Sequence, residues 1–155
     1  MTDVENSDLL AAEFGMVAHH ERMSNGEMRF RLFGAGGNGY VRTIAGNKGE
    51  WQYSHYHRRV RETYIVQSGW MALAVWQGDR GELILTRYDP GQIVTTEPLL
   101  RHNVFLPAKA VIHTVKYGSV SDEPDWHAAP EVDVLTKGLS EKQLMARLQR
   151  SSIAG

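Results

Sequence analysis

Cysteine is absent from the 155 residues of this chain, and that absence removes disulfide scaffolds, thiolate zinc sites, iron–sulfur clusters and cysteine nucleophiles together. Any metal must therefore be held by imidazole and carboxylate. An excess of charge is missing as well: 17 Lys+Arg face 18 Asp+Glu, with a pI near 6.7. That balance argues against nucleic-acid binding as the main activity, because neutralising phosphates needs a basic surface. Long apolar runs are lacking too. Nothing approaches the roughly 18 residues of a membrane span, and the first six residues are acidic with no apolar stretch. The expectation is a soluble, cytoplasmic protein with neither nucleic acid nor membrane as partner.

What is present is β-type periodicity. Arg29–Phe33, Tyr40–Ile44, Trp51–Tyr56, Glu62–Gln67, Met71–Trp76, Glu82–Tyr88, Gln92–Thr96, His102–Leu106 and Val111–Lys116 are short runs separated by Gly, Pro, Asn and Asp. They recur at about the 8–12-residue spacing of a sandwich or barrel. No helix-length segment interrupts them, which excludes a βαβ architecture and favours an all-β, antiparallel closed sheet. The length suits one domain. Its expected parts are an N-terminal segment over residues 1–28, a barrel over 29–118, and a C-terminal arm and helix over 119–155.

Ser140-Glu141-Lys142-Gln143 has the form of a capping box and precedes Leu144, Met145 and Leu148 at helical spacing, so Glu141–Arg150 is expected to be a short C-terminal helix. Asp8–Phe14 could form another at the N-terminus. Residues 119–137, rich in Pro and Asp, read as an irregular arm. The run Trp70–Trp76 is apolar on both strand faces, whereas a barrel hides one. Its outer face needs a cover, either the terminal segments or a second copy of the chain, and a homodimer is preferred.

Four residues stand out as ligand candidates. His55 and His57 sit two apart in a strand-like run, so both imidazoles project to one side. Glu62 opens the next strand after the loop Arg58-Arg59-Val60-Arg61, and a tight connection would pair the two strands. His102 begins a later strand, and His113 competes with it for the fourth place. The spacing Gly49, His55, His57, Glu62, Gly69 resembles in full the first motif of the cupin superfamily. A weaker second motif follows at Gly91 and His102, with Glu97, Leu99 and Leu106 where that motif has Pro, Gly and Asn. The resemblance covers about residues 49–116. It implies a jelly-roll barrel in which His55, His57, Glu62 and His102 bind one divalent metal, with Fe, Mn, Ni, Cu and Zn all compatible with such a donor set. Spacing favours His102 over His113, which is left as a pocket residue near the site.

Four protein ligands on an octahedral ion leave two positions for a small-molecule substrate and water or O₂. A dioxygenase-type oxidoreductase acting on a small polar or acidic organic substrate is the expected function. A non-catalytic small-molecule or metal-binding module and a sugar-type isomerase or epimerase are the alternatives. Tyr64 shares the face of Glu62 and is the candidate catalytic hydrogen-bond donor. The three arginines of the 58–61 loop could draw an anion to the barrel mouth or simply be solvated. Trp126 and His127 could cover the mouth or anchor the arm. Gly34–Gly39 satisfies G-x-G-x-x-G, but a strand follows it instead of the helix that pyrophosphate binding requires.

Overall fold

The computed structural model describes residues 15–34, 38–119 and 123–153, with side chains through residue 148. Asp8–Phe14 lies outside the described residues. Twelve strands and two helices follow one another in this span. They are β1 (Val17–Arg22), β2 (Met28–Phe33), β3 (Gly39–Ile44), β4 (Glu50–Trp51), β5 (His55–Tyr56), β6 (Val60–Ser68), β7 (Met71–Gln77) and β8 (Glu82–Tyr88). Then come β9 (Ile93–Thr96), β10 (His102–Leu106), β11 (Val111–Gly118), β12 (His127–Ala128), α1 (Pro130–Thr136) and α2 (Glu141–Ile153). All strand pairs are antiparallel. One sheet has the order β1-β2-β3-β11-β6-β9, and the facing sheet β12-β5-β10-β7-β8 with β4 beside β10. The result is an all-β jelly roll with a C-terminal helix.

The alternation within each strand sets the interior. Along β6 the residues Val60, Glu62, Tyr64 and Val66 are buried, and Ile112 and Thr114 do the same on β11. Of these, Tyr64, Val66 and Ile112 meet Met71, Leu73, Val104 and Leu106 from the facing sheet in one apolar cluster. A second cluster lies on the outside of that facing sheet, where Trp51, Ala72, Ala74, Leu85 and Phe105 pack beneath Leu144 and Leu148 of α2. This accounts for the two-faced run Trp70–Trp76. Met71 and Leu73 point inward, Ala72 and Ala74 point outward, and the chain's own helix covers them, so this strip supplies no argument for a second copy.

Three local readings are corrected. The run Trp51–Tyr56 is broken into β4 and β5. β5 pairs with β10 and β12, not with β6, so the arginine loop crosses from one sheet to the other and the two ligand-bearing segments face each other across the interior. The arm is also more regular than its composition suggests. Pro130 occupies the first turn of α1, where its fixed φ suits a helix start, and Val132 and Thr136, one turn apart, are fully buried. Strand β1, finally, extends the first sheet ahead of the nine runs legible in the sequence.

Two motif glycines have steric reasons. A Cβ on Gly49 would come 2.6 Å from Phe105 Cζ and 2.6 Å from Glu141 Oε2, the place where α2 begins. Gly69 has φ +76° in the β6–β7 turn, and a Cβ there would lie 2.9 Å from the Ala110 Cβ. The capping box is reciprocal: the Gln143 amide donates to Ser140 Oγ at 3.2 Å and the Ser140 amide to Gln143 Oε1 at 2.9 Å.

Because Leu144 has no exposed surface, Leu144→Ala is expected to cost about 2–5 kcal/mol. Urea unfolding measures this, and a loss below about 1 kcal/mol would mean that α2 does not close the outer core.

Candidate metal centre

The two sheets deliver opposite halves of one polar cluster. His55 and His102 are cross-strand partners on β5 and β10, with ring centroids 4.5 Å apart. Glu62 and Tyr64 reach toward them from β6 on the other sheet. His55 Nε2 lies 2.9 Å from Glu62 Oε1, and His57 Nε2 contacts the same oxygen. Tyr64 donates its hydroxyl proton to Glu62 Oε2 at 2.6 Å and stands 3.2 Å from His102 Nε2. Every member is buried: His55 8 %, His57 4 %, Glu62 2 %, Tyr64 2 % and His102 1 % exposed.

Each imidazole is oriented by the backbone. Nδ1 of His55 faces the Tyr53 carbonyl at 3.0 Å, Nδ1 of His102 the Leu100 carbonyl at 2.8 Å, and Nδ1 of His57 the Asp125 carbonyl. Donating Nδ1–H to a carbonyl leaves the lone pair on Nε2, the atom that each ring turns inward, and this is the second-sphere arrangement of metal-ligating histidines. His57 lies just beyond β5, so strand alternation does not place it alone. The arm does, because Asp125 also accepts the Arg58, Arg59 and Val60 amides on its carboxylate, at 2.8, 2.8 and 3.0 Å.

Electrostatics favour the same protonation states. Burial pushes His102 down to about 4, with the charge of His55 adding to it. Burial likewise lowers His57 and outweighs the pull of Glu62. For Glu62 burial opposes ionisation, but Lys116 and the imidazoles of His55 and His102 together overcome it and hold the carboxyl well below its usual range. Burial and the adjacent Glu62 charge raise Tyr64 well above an ordinary phenol. Neutral imidazoles at His57 and His102, an ionised Glu62 and a protonated Tyr64 are states in which these groups accept a cation and donate a hydrogen bond beside it. His55, His57 and Glu62 offer ligand atoms within 4.8 Å of one another and could hold a metal ion.

His113 is elsewhere. Alternation along β11 turns Ile112 and Thr114 inward and His113 outward, where Nδ1 lies 2.6 Å from the Tyr40 hydroxyl and Nε2 2.6 Å from Gln67 Oε1. The placement of His113 in the pocket near the site is therefore corrected. The loop arginines are also away from the cluster: Arg58 is exposed, Arg59 donates to the Glu123 carbonyl and Arg61 pairs with Glu97. The cationic lining comes instead from Arg29, Arg31 and Lys116. With Gln52, Thr43, Thr114 and Trp126 they border a chamber of about 200 Å³ that opens onto His55, Glu62 and Tyr64. Trp126 lies over His55, ring centroids 5.6 Å apart and planes at 22°.

The second motif departs from its pattern in letters at Glu97, Leu99 and Leu106. Leu99, at the motif's glycine position, has φ 70°, a left-handed conformation that costs a non-glycine residue about 1–2 kcal/mol. Its amide donates to the His57 carbonyl at 2.6 Å, which ties the turn before His102 to the segment carrying His57.

No protein-family model and no curated protein matches this sequence. Solved structures do. The chain is similar to KdgF from Halomonas sp., at 16% identity over 67% of this chain and 89% of that one, with a TM-score of 0.52. It is similar to oxalate decarboxylase from Bacillus subtilis, at 13% identity over 83% of this chain with a TM-score of 0.58, and spans 36% of the length of that chain. It is also similar to the Drosophila melanogaster CENP-C cupin domain, at 10% identity over 64% of this chain and 75% of that one, with a TM-score of 0.52. At these identities the likeness establishes the fold, and the fold is that of the cupins.

Two outcomes follow. Leu99→Gly should raise stability by about 1 kcal/mol and leave metal content unchanged; denaturant unfolding reads the first and elemental analysis the second, and an unchanged midpoint would show that the turn is unstrained. In metal-free protein, the unfolded chain binds more protons than the fold between the ordinary imidazole value of 6.5 and the His102 value of about 4. Stability is therefore lost as pH falls through that window. Thermal unfolding across it should show the loss, reduced in His102→Gln, and equal slopes in the two proteins would contradict the assignment.

Proposed function

We propose that this chain is a metal-dependent enzyme in which His55, His57, Glu62 and His102 hold one divalent ion and a small polar or acidic organic substrate reaches it from the chamber. The observation that carries the reading is the chamber itself: the ligand cluster forms part of its wall instead of being sealed in apolar core. Structural metal sites are closed by protein ligands, whereas catalytic ones keep a position open. Three neutral imidazoles and one carboxylate fit Fe, Mn, Ni, Cu or Zn alike.

When bound, the ion would polarise a substrate oxygen and lower the pKa of coordinated water. The chain's own groups do the rest. The backbone carbonyls of Tyr53, Leu100 and Asp125 fix the three rings. Tyr64, kept protonated by burial and by Glu62, would turn its hydroxyl hydrogen bond from Glu62 Oε2 to a developing oxyanion beside the cluster. Trp126 limits water at the opening. Dioxygenation, with O₂ as the second reactant, is the preferred class, since four protein ligands on a six-coordinate ion would leave room for a substrate oxygen and O₂. One of the similar structures is named as a decarboxylase, which makes decarboxylation the runner-up.

Elemental analysis of protein purified without a histidine tag is expected to show about one divalent metal per chain. His55→Ala, His57→Ala and His102→Ala should each lower that content at least about tenfold, while His113→Ala leaves it intact. Full occupancy in His55→Ala and His57→Ala would end the proposal. Oxygen uptake or substrate conversion by the Fe(II)-loaded protein separates an enzyme from a binding module that does not turn over.

A further inference from the structure

The first sheet carries cations into an interior where strands normally place apolar side chains. Lys116 pairs with Glu62 in the β11–β6 register, and Thr114, two residues before it, pairs with Tyr64 and with Val41. Val41 in turn pairs with Arg31 on β2. Lys116 and Arg31 thus lie on one face of the sheet, two strands apart, and both border the chamber. Arg29 borders it too, but its guanidinium is occupied by the buried Glu27, with Nε at 3.0 Å and Nη2 at 2.7 Å from Oε2. Arg31 is partly engaged, giving Nη1 to Glu21 at 2.8 Å and Nη2 to the Met23 sulfur at 3.4 Å. Among the described residues Lys116 has no ion pair, and its charge acts on Glu62 and His57. A divalent ion on the histidines would offset Glu62 and leave the chamber with positive charge to spare.

We infer that Lys116, with Arg31 behind it, forms a carboxylate subsite on the sheet facing His55 and His102, and that the substrate is a small carboxylate or dicarboxylate whose anionic end is held there. Size sets an upper bound: a cavity of about 150 Å³ takes benzene, so a chamber of about 200 Å³ admits about eight non-hydrogen atoms. Carboxylate is favoured over phosphate because the wall supplies side-chain donors only. Around Lys116 and Thr114 the backbone amides belong to strand ladders and the Arg31 amide donates to His20 Nδ1 at 3.2 Å, so among the described residues these amides form no phosphate-cradling cluster of free N–H groups. Gln52, Thr43 and Thr114 add neutral donors suited to a hydroxyl or carbonyl on the same molecule.

This inference rests on the proposed site for its metal-facing half and stands independently for the subsite. Calorimetric titration of the full chain, Zn(II)-loaded and metal-free, with succinate, its neutral analogue succinamide and inorganic phosphate tests it without an activity assay. Succinate should bind at least about tenfold more tightly than succinamide or phosphate. Lys116→Gln should remove that preference, Lys116→Arg restore most of it, and Lys48→Gln, on the exposed surface, leave it unchanged. Arg31→Gln should weaken succinate in the same direction and reports on the subsite even if Lys116→Gln fails to fold. A lysine that merely offsets Glu62 would alter metal content and leave the succinate-to-succinamide ratio untouched, which overturns the inference, as does phosphate binding as tightly as succinate. Stoichiometric metal without a succinate preference leaves the metal centre standing and removes the subsite; a Lys116-dependent preference in a protein that takes up no metal does the reverse.

Discussion

A carboxylate that is 2 % exposed is the constraint around which this structure is arranged. Removing an ionised Glu62 from water costs several kcal/mol unless opposite charge and hydrogen bonds replace the solvent. The fold supplies them from two sides, the Tyr64 hydroxyl at Oε2 and the Lys116 charge from the neighbouring strand, while Nε2 of His55 and of His57 stand beside Oε1. The same arrangement that makes the carboxylate tolerable makes the cluster receptive to a cation, because three of the groups around it present lone pairs and none needs to be charged.

The periphery serves that arrangement by closing both sides of the second sheet. Inside, β10 brings His102 to His55; outside, Phe105 and Asn103 of the same strand are held by α2 and α1, the latter through an Asn103 to Thr136 hydrogen bond of 3.0 Å. Between the helices and the barrel the arm fastens the loop that carries His57. One aspartate, Asp125, does this with both its backbone and its side chain, receiving His57 on the carbonyl and three consecutive amides on the carboxylate. The helices and arm are thus continuous with the site, even though none of their side chains belongs to the ligand cluster.

How much of this could be read from the residues depended on how local each signal was. The strand runs and the capping box are local patterns, and the elements they indicate are present, with the run Trp51–Tyr56 broken in two. Leu99 stands where the motif has glycine and is itself left-handed, held there by the hydrogen bond of its amide to the His57 carbonyl. Arg29 and Arg31 were not legible as chamber residues. In a strand that alternates arginine with Phe30 and Leu32, hydrophobicity alone puts the arginines in solvent, and only the barrel's polar mouth reverses that. His113 erred the other way: the sequence left it in the pocket near the site, and strand parity put it on the outer face.

By itself the sequence determined the class of fold and the chemistry available to the site, because alternation, turn residues and the absence of thiols act over a few residues at a time. It also marked His55, His57, Glu62 and His102, because one superfamily's motif fixes their separations along the chain. Only the tertiary structure decided that these groups come from facing sheets instead of adjacent strands, that the cations beside them are Lys116, Arg31 and Arg29 instead of the loop arginines, and that the apolar outer strip is covered by the chain's own helix. Those outcomes depend on which strands become neighbours and which face of each turns inward. Pairing and facing are set by the closure of the whole barrel, a property that no short stretch of residues carries.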